Sequence, residues 1–152
     1  MQQLIHGLKY KGQEAIGVFL GKWLGGELKT LKAYNDIDVV IPVPLHKKKL
    51  KKRGYNQVAK FAQHIAETLN ANYMDDVLLK VTNTQSQVLK KRLARWNDND
   101  ALFMLENTHA IANKHILLVD DLITTGATIE ACVTALNHAE NIKISVASMA
   151  IA

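Results

Sequence analysis

The apolar positions of the chain switch repeatedly between two periods. In "LIHGLKYKGQEAIGVFLGKWLGG" (4–26), Ile16, Phe19, Leu20, Trp23 and Leu24 recur at the spacing of one helix face, and Gly25-Gly26 reads as the stop. The core stripe of that helix then includes Trp23. "IDVVIPVPL" carries the β-branched run Val39, Val40, Ile41, closed by Pro42 and Pro44, which predicts a short buried strand leading into a rigid loop. "NQVAKFAQHIAETLN" returns to helical spacing, with Val58, Phe61, Ala62, Ile65 and Leu69 on one stripe.

The second half repeats the alternation. "DDVLLKVTN" and "ALFMLEN" are strand candidates, "HILLV" reads as a buried strand, and "NIKISVASMAI" closes the chain as another. Ile129, Cys132, Val133 and Leu136 mark a helix between the last two. "TQSQVLKKRLARWNDND", polar and basic, is too long for a simple hairpin turn; loops of such length inside compact domains tend to be functional or disordered. Strands alternating with amphipathic helices predict an α/β fold, a largely parallel sheet flanked by helices. Such open sheets bind ligands beyond the carboxyl ends of their strands. Both the Pro42–Pro44 loop and the segment that begins at Asp120 lie at such ends.

Composition narrows the function. A length of 152 residues fits one domain with a proper core, and 48% hydrophobic with 22% charged residues is ordinary for a globular protein. No apolar run approaches a membrane span and no leader stands at Met1, so a cytoplasmic protein with no membrane partner is expected. Cys132 is the single cysteine, and the six histidines lack ligand spacing, so no zinc is expected in this chain. The net charge of +5 suits nucleic acid or a small anion, and its placement is uneven: ten of the nineteen Lys and Arg fall in "HKKKLKKR" and "KKRLAR". Only Tyr55 and Trp96 lie near those runs to stack on bases. Direct nucleic-acid binding is therefore not favoured.

The stretch "VDDLITTGAT" carries the candidate chemistry. A strand ending at Val119 and a helix starting near Thr128 leave outward-pointing amides at the helix start, where the dipole adds about half a positive charge. Gly126 permits close backbone approach, and Thr124, Thr125 and Thr128 supply hydroxyl donors, a set suited to a monoester phosphate. Asp120 and Asp121 would repel that phosphate. They are left to accept hydrogen bonds from vicinal hydroxyls, as on a ribose, or to hold magnesium directly or through water. A sugar phosphate satisfies both halves of the stretch. The rival phosphate patterns G-x-x-x-x-G-K-[ST] and G-x-G-x-x-G after a strand are absent.

"ILLVDDLITTGATI" closely resembles the phosphoribosyl pyrophosphate (PRPP) signature of type I phosphoribosyltransferases. "LIHGLKYKG", "VVIPVPLHKKKLKKRGYNQ" and the "TQSQ…L…R…N…AF" pattern resemble the competence-protein ComF family in order and spacing, so the likeness covers nearly the whole chain. The resemblance implies a Rossmann-like type I fold with a helical hood over 1–36, an α/β core over 37–152 and a flexible hairpin loop. It implies that Asp120 and Asp121 face the ribose diol and that Thr124, Thr125, Gly126, Ala127 and Thr128 hold the 5′-phosphate. Val43, Pro44, Leu45 and His46 fall at the pyrophosphate loop, with Arg53 close behind as a catalytic candidate beside the two acids. Thr84 to Asn97 corresponds to a closing hood, with Gln85, Gln87, Lys90, Lys91, Arg92 and Arg95 as its candidate contacts. The implied reaction moves ribose 5-phosphate from PRPP to a nitrogenous acceptor, with Mg2+ brought by the substrate. Alternatives are a PRPP-binding regulator without turnover and an accessory protein in DNA uptake. "LIHGLKYKG" offers a packing surface for a homodimer. Many ComF relatives open with a four-cysteine zinc ribbon, which "MQQLIHGLKYKG" lacks; a naturally short protein or a fragment is expected. The glutaminase activity of amidophosphoribosyltransferases needs an N-terminal cysteine nucleophile, which Met1 and an internal Cys132 do not supply.

Overall fold

The computed structural model describes residues 14–81 and 102–152. A four-stranded sheet forms the centre, built from β1 (Val39–Pro42), β2 (Asn72–Tyr73), β5 (His115–Ile123) and β6 (Lys143–Ile151) in the order β2-β1-β5-β6. All three pairings are parallel. The strand candidates in "DDVLLKVTN" and "ALFMLEN" form β3 (Leu78–Lys80) and β4 (Phe103–Leu105), which pair antiparallel with each other as a separate ribbon. The helices are α1 (Glu14–Thr30), α2 (Lys47–Arg53), α3 (Ala59–Leu69) and α4 (Ala127–Leu136). Among the described residues no helix is long and apolar enough to cross a membrane.

Strand β5 explains how the layers hold together. Ile116, Leu117, Leu118 and Val119 are fully buried, because the strand has neighbours on both edges and cover on both faces. Ile116 and Leu118 join a core with Val39, Ile41, Phe103, Cys132 and Leu136, under α4 and the β3–β4 ribbon. Leu117 and Val119 join the opposite core with Val40, Phe61, Ile65 and Leu28, under α1 and α3. Period-two alternation thus sends one apolar run into two cores.

Helix α1 departs from the expected stripe. It runs through Gly25-Gly26 to Thr30, and Phe19 and Trp23 are 69% and 59% exposed rather than in the core. The face it buries carries Gly17, Gly21, Gly25 and Leu28, with Leu20 and Leu24 at the margin. Glycines four apart line one face and bring α1 so near α3 that a Cβ at Gly21 would lie 2.6 Å from the Phe61 carbonyl oxygen. The pair read as a stop is half of this contact: Gly25 faces Thr68, whereas Gly26 faces open space.

At the amino ends of the strands, a polar cluster ties the entry of β1 to β5 and β6. Buried His115 places Nδ1 2.8 Å from Asp36 Oδ1 and Nε2 2.9 Å from Ser145 Oγ, and Lys143 Nζ donates to Asp36 Oδ2 at 3.1 Å. The His115 hydrogen bond, followed by that from Lys143, holds the exposed Asp36 carboxyl below its ordinary pKa. A depressed folded-state pKa stabilises the fold above the unfolded value and loses that contribution as pH falls through the folded one. Asp36→Asn is therefore expected to melt at a lower temperature than the parent at neutral pH. The gap should close as pH drops below the ordinary carboxylate range, about 4. Melting curves of both proteins across that interval check this, and a gap that stays constant contradicts it.

Candidate functional site

The chain leaves β1 toward β2 on one side and β5 toward β6 on the other, so the sheet's switch point lies between β1 and β5. Open α/β sheets take their ligands in the crevice beyond the carboxyl ends at such a point. The last β1–β5 pair is Pro42–Val119, whereas β5 stays paired with β6 as far as Ile123–Ile151. Asp120 and Asp121 therefore lie within β5, correcting the expectation that the strand stops at Val119. They stand past the end of β1, where one edge of the strand is relieved of its neighbour. Alternation along the strand puts them on opposite faces.

Asp120 and Asp121 are each only 7% exposed, and a buried charge needs hydrogen-bonding partners. Asp120 Oδ1 accepts from the Asp121 N–H at 2.8 Å, and Asp121 Oδ2 accepts from Gln57 Nε2 at 2.8 Å. Gln57 Oε1 in turn accepts from Arg53 Nη1. One residue earlier, Asn56 Nδ2 donates to the Val43 carbonyl at 3.1 Å while its Oδ1 accepts from the Val58 N–H. Val43 N–H donates to the Val119 carbonyl at 2.8 Å. The string "RGYNQ" thus clips together the basic helix, the loop after β1 and the acid pair. Gln57 was not among the residues singled out from the sequence. It matches no catalytic motif, and its one signal is its place beside Arg53 in that string.

Val43, Pro44, Leu45 and His46, the residues expected at a pyrophosphate loop, form the link from β1 to α2. His46 caps α2: its Nδ1 accepts from the Lys48 N–H at 3.2 Å, which places the proton of the neutral ring on Nε2. That Nε2 is buried and has no hydrogen-bond partner among the described residues. An unmet buried donor costs about 1–3 kcal/mol, which a ligand oxygen would recover. Helix α2 itself could not be read from periodicity. Six of its seven residues are basic, and Leu50 is its one apolar side chain.

Across the crevice, Thr124 and Thr125 are exposed, and Gly126 takes the left-handed φ of 81° that favours glycine. Gly126 is the N-cap of α4 and brings no side chain to its first turn, and Ala127 N–H meets Thr125 Oγ1 at 3.4 Å. Glu130, also in that turn, already complements the dipole. The pull on a further anion thus rests on the amide and hydroxyl donors of residues 124–128. On the inner side of α4, Cys132 is fully buried; burial first and the charge of Asp120 second push its thiol up to about 12, so it is no nucleophile. Gln85, Gln87, Lys90, Lys91, Arg92 and Arg95 lie outside the described residues.

A separate cleft of about 520 Å³ opens at the amino ends of the strands, far along the sheet from the acids. Its charged groups are already matched to one another, Lys143 with Asp36 and Lys114 with Asp38, so it offers a ligand little. Among the described residues no cluster of three His, Cys, Asp or Glu side chains could hold a metal alone. A magnesium ion held by Asp120 and Asp121 would complete its coordination with water or with oxygens of a bound ligand.

The sequence matches the phosphoribosyl transferase domain over residues 50–150. Two similar curated proteins are Competence protein F of Haemophilus influenzae, 28% identical over 130 residues, and the DNA utilization protein YhgH of Escherichia coli O157:H7, 30% identical over 130 residues. Each alignment covers 83% of this chain but only 57% and 56% of those proteins, so the chain spans little more than half their length. Among solved structures, glutamine phosphoribosylpyrophosphate amidotransferase from B. subtilis superposes with a TM-score of 0.55 at 23% identity, over 85% of this chain and 26% of that one. That is a likeness of fold. The match spans most of the α/β core, including β5 and its acid pair, and on that ground the chain belongs to the phosphoribosyl transferase domain family.

Proposed function

We propose that the crevice between β1 and β5 binds PRPP and transfers its ribose 5-phosphate to a nitrogen nucleophile, releasing pyrophosphate. The observation that carries this reading is the order of chemistry along one turn of chain. Two buried acids stand beyond the end of β1, and the Gly126 turn and the first amides of α4 follow within a few residues. The acids suit a vicinal diol and the turn suits a phosphate, two groups that a 5-phosphorylated ribose holds together. In the reaction the bond from the anomeric carbon to the pyrophosphate oxygen breaks, the electron pair leaves with pyrophosphate, and a carbon–nitrogen bond forms.

This chain's residues have defined parts. Asp120 and Asp121 orient the ribose hydroxyls, and residues 124–128 anchor the 5′-phosphate. His46 Nε2–H and the cations of α2 neutralise charge developing on the leaving pyrophosphate. Magnesium, when brought by the substrate, would add positive charge at the same place. The test is pyrophosphate release from PRPP and magnesium across a panel of nitrogenous bases and amines. Release that depends on one class of acceptor supports transfer. PRPP binding with no release for any acceptor leaves a binding or sensing role and contradicts transfer.

The names of Competence protein F and the DNA utilization protein YhgH favour a second reading, a part in handling DNA. The exposed cations of α2 supply its electrostatics. Salt-dependent binding of single-stranded DNA that is lost when Lys47, Lys48 and Lys49 are neutralised would support it.

A further inference from the structure

We infer that Gln57 is a positioning residue that couples the two halves of this site, an inference that rests on the reading just proposed. Gln57 is 6% exposed, and its amide bridges Arg53 on one side and Asp121 on the other, residues that belong to α2 and β5. A guanidinium can only donate and an ionised carboxylate can only accept, so the orientation of the amide is fixed. Its carbonyl faces Arg53 and its NH2 faces Asp121. A glutamate at 57 would turn an acceptor toward Asp121, and a lysine would turn a donor toward Arg53. An uncharged side chain that both donates and accepts is needed, and asparagine is one methylene shorter.

Residue 57 lies in the turn between α2 and α3, and the preceding Asn56 holds the Val43 carbonyl of the loop after β1. The amide of Gln57 thus links this clip to the acid pair. Gln57 sets the carboxylate of Asp121 for the sugar and the guanidinium of Arg53 for the pyrophosphate, and it transmits the placement of one to the other. It acts through both residues and touches neither group of the ligand.

The test is a pair of thermodynamic cycles by calorimetry, with ribose 5-phosphate probing the sugar half and inorganic pyrophosphate the leaving-group half. Gln57→Met keeps the length of the side chain and removes both hydrogen bonds. It is expected to weaken each probe about tenfold, the scale on which a buried charge-assisted bond acts. In an Asp121→Ala background the same change should cost ribose 5-phosphate less than about threefold, because the residue it positions is gone. In an Arg53→Met background it should likewise cost pyrophosphate less than about threefold. General loosening of the fold would add its full penalty in every background. A full tenfold loss in both backgrounds, or wild-type affinity for both probes in the single variant, overturns the inference. Should Gln57→Met fail to fold, Gln57→Glu, nearly identical in shape, takes its place in the ribose 5-phosphate cycle with the same expected outcomes. A parent protein that binds neither probe refutes the proposed function itself, and that result appears before any variant is made.

Discussion

Asp121→Asn is expected to lower the affinity for PRPP by at least tenfold while leaving the melting temperature nearly unchanged. The carboxylate is buried and already accepts a hydrogen bond from Gln57 Nε2 at 2.8 Å. An asparagine keeps that bond through its amide oxygen, so the clip formed by "RGYNQ" persists. What it loses is charge. A hydroxyl donated to an ionised acceptor contributes roughly 1.5–3 kcal/mol, against about 1 kcal/mol for a neutral pair. With about 1.4 kcal/mol per factor of ten, losing the larger part of that difference costs about tenfold, and more where the amide NH2 opposes a ribose hydroxyl donor. Calorimetry with PRPP, paired with a thermal melt of each protein, separates binding from stability. Unchanged affinity would remove Asp121 from the ribose, and equal losses in affinity and melting temperature would make it a structural residue.

The second large effect concerns the contact between α1 and α3. Gly21→Ala places a Cβ 2.6 Å from the Phe61 carbonyl oxygen, 3.0 Å from His64 Cβ and 3.2 Å from Phe61 Cα. Backbone is the obstacle, so no side-chain rotation relieves it and the two helices must separate. Overpacking of this kind costs about 1–3 kcal/mol, and loss of the core under α1 adds to it; the helix-propensity gain of alanine over glycine offsets only ~1 kcal/mol. Gly26→Ala, five residues later in the same helix, meets nothing within 4 Å and keeps the propensity gain alone. The two substitutions are expected to shift the melting temperature in opposite directions, by about 2–4 °C per kcal/mol for a chain of this size. Thermal melts of both variants check it. A Gly21→Ala protein as stable as Gly26→Ala would mean that the glycine face is not the packing face.

What could be read from the sequence was set by how much of each element's environment is written in its own residues. "HILLV" and "NQVAKFAQHIAETLN" bury apolar side chains on patterns that period alone reveals, and both elements stand where they were expected. β5 continues through Asp120–Ile123 because β6 remains alongside as a partner, information that lies 28 residues downstream in the pairs from Asp120–Ser148 to Ile123–Ile151. Charged residues ending an apolar run hid that continuation. Helix α1 misled for the opposite reason. Its apolar stripe was visible, but its closest packing uses glycines that have no side chain to count, and a spacing of four between Gly17, Gly21 and Gly25 was the signal available. β2 has only two residues, too few for any period.

The site shows the same division. The two acids and the turn after them were legible, because each residue type has a chemistry of its own and the order is compact. Gln57 was not, because an amide acquires meaning only from what faces it, and Asp121 lies 64 residues away. His46 stood between the two cases. Its place after Pro44 was visible, but its role as the cap of α2 depends on a helix that six cations disguise.

Whether residues 120–128 hold a phosphorylated pentose by both ends is decided by a crystal structure of the protein with ribose 5-phosphate. The phosphate is expected against the amides and hydroxyls of residues 124–128, with the two ring hydroxyls within hydrogen-bond distance of Asp120 and Asp121. Sugar bound anywhere else, or a turn at Gly126 that stays empty at saturating ligand, would contradict it.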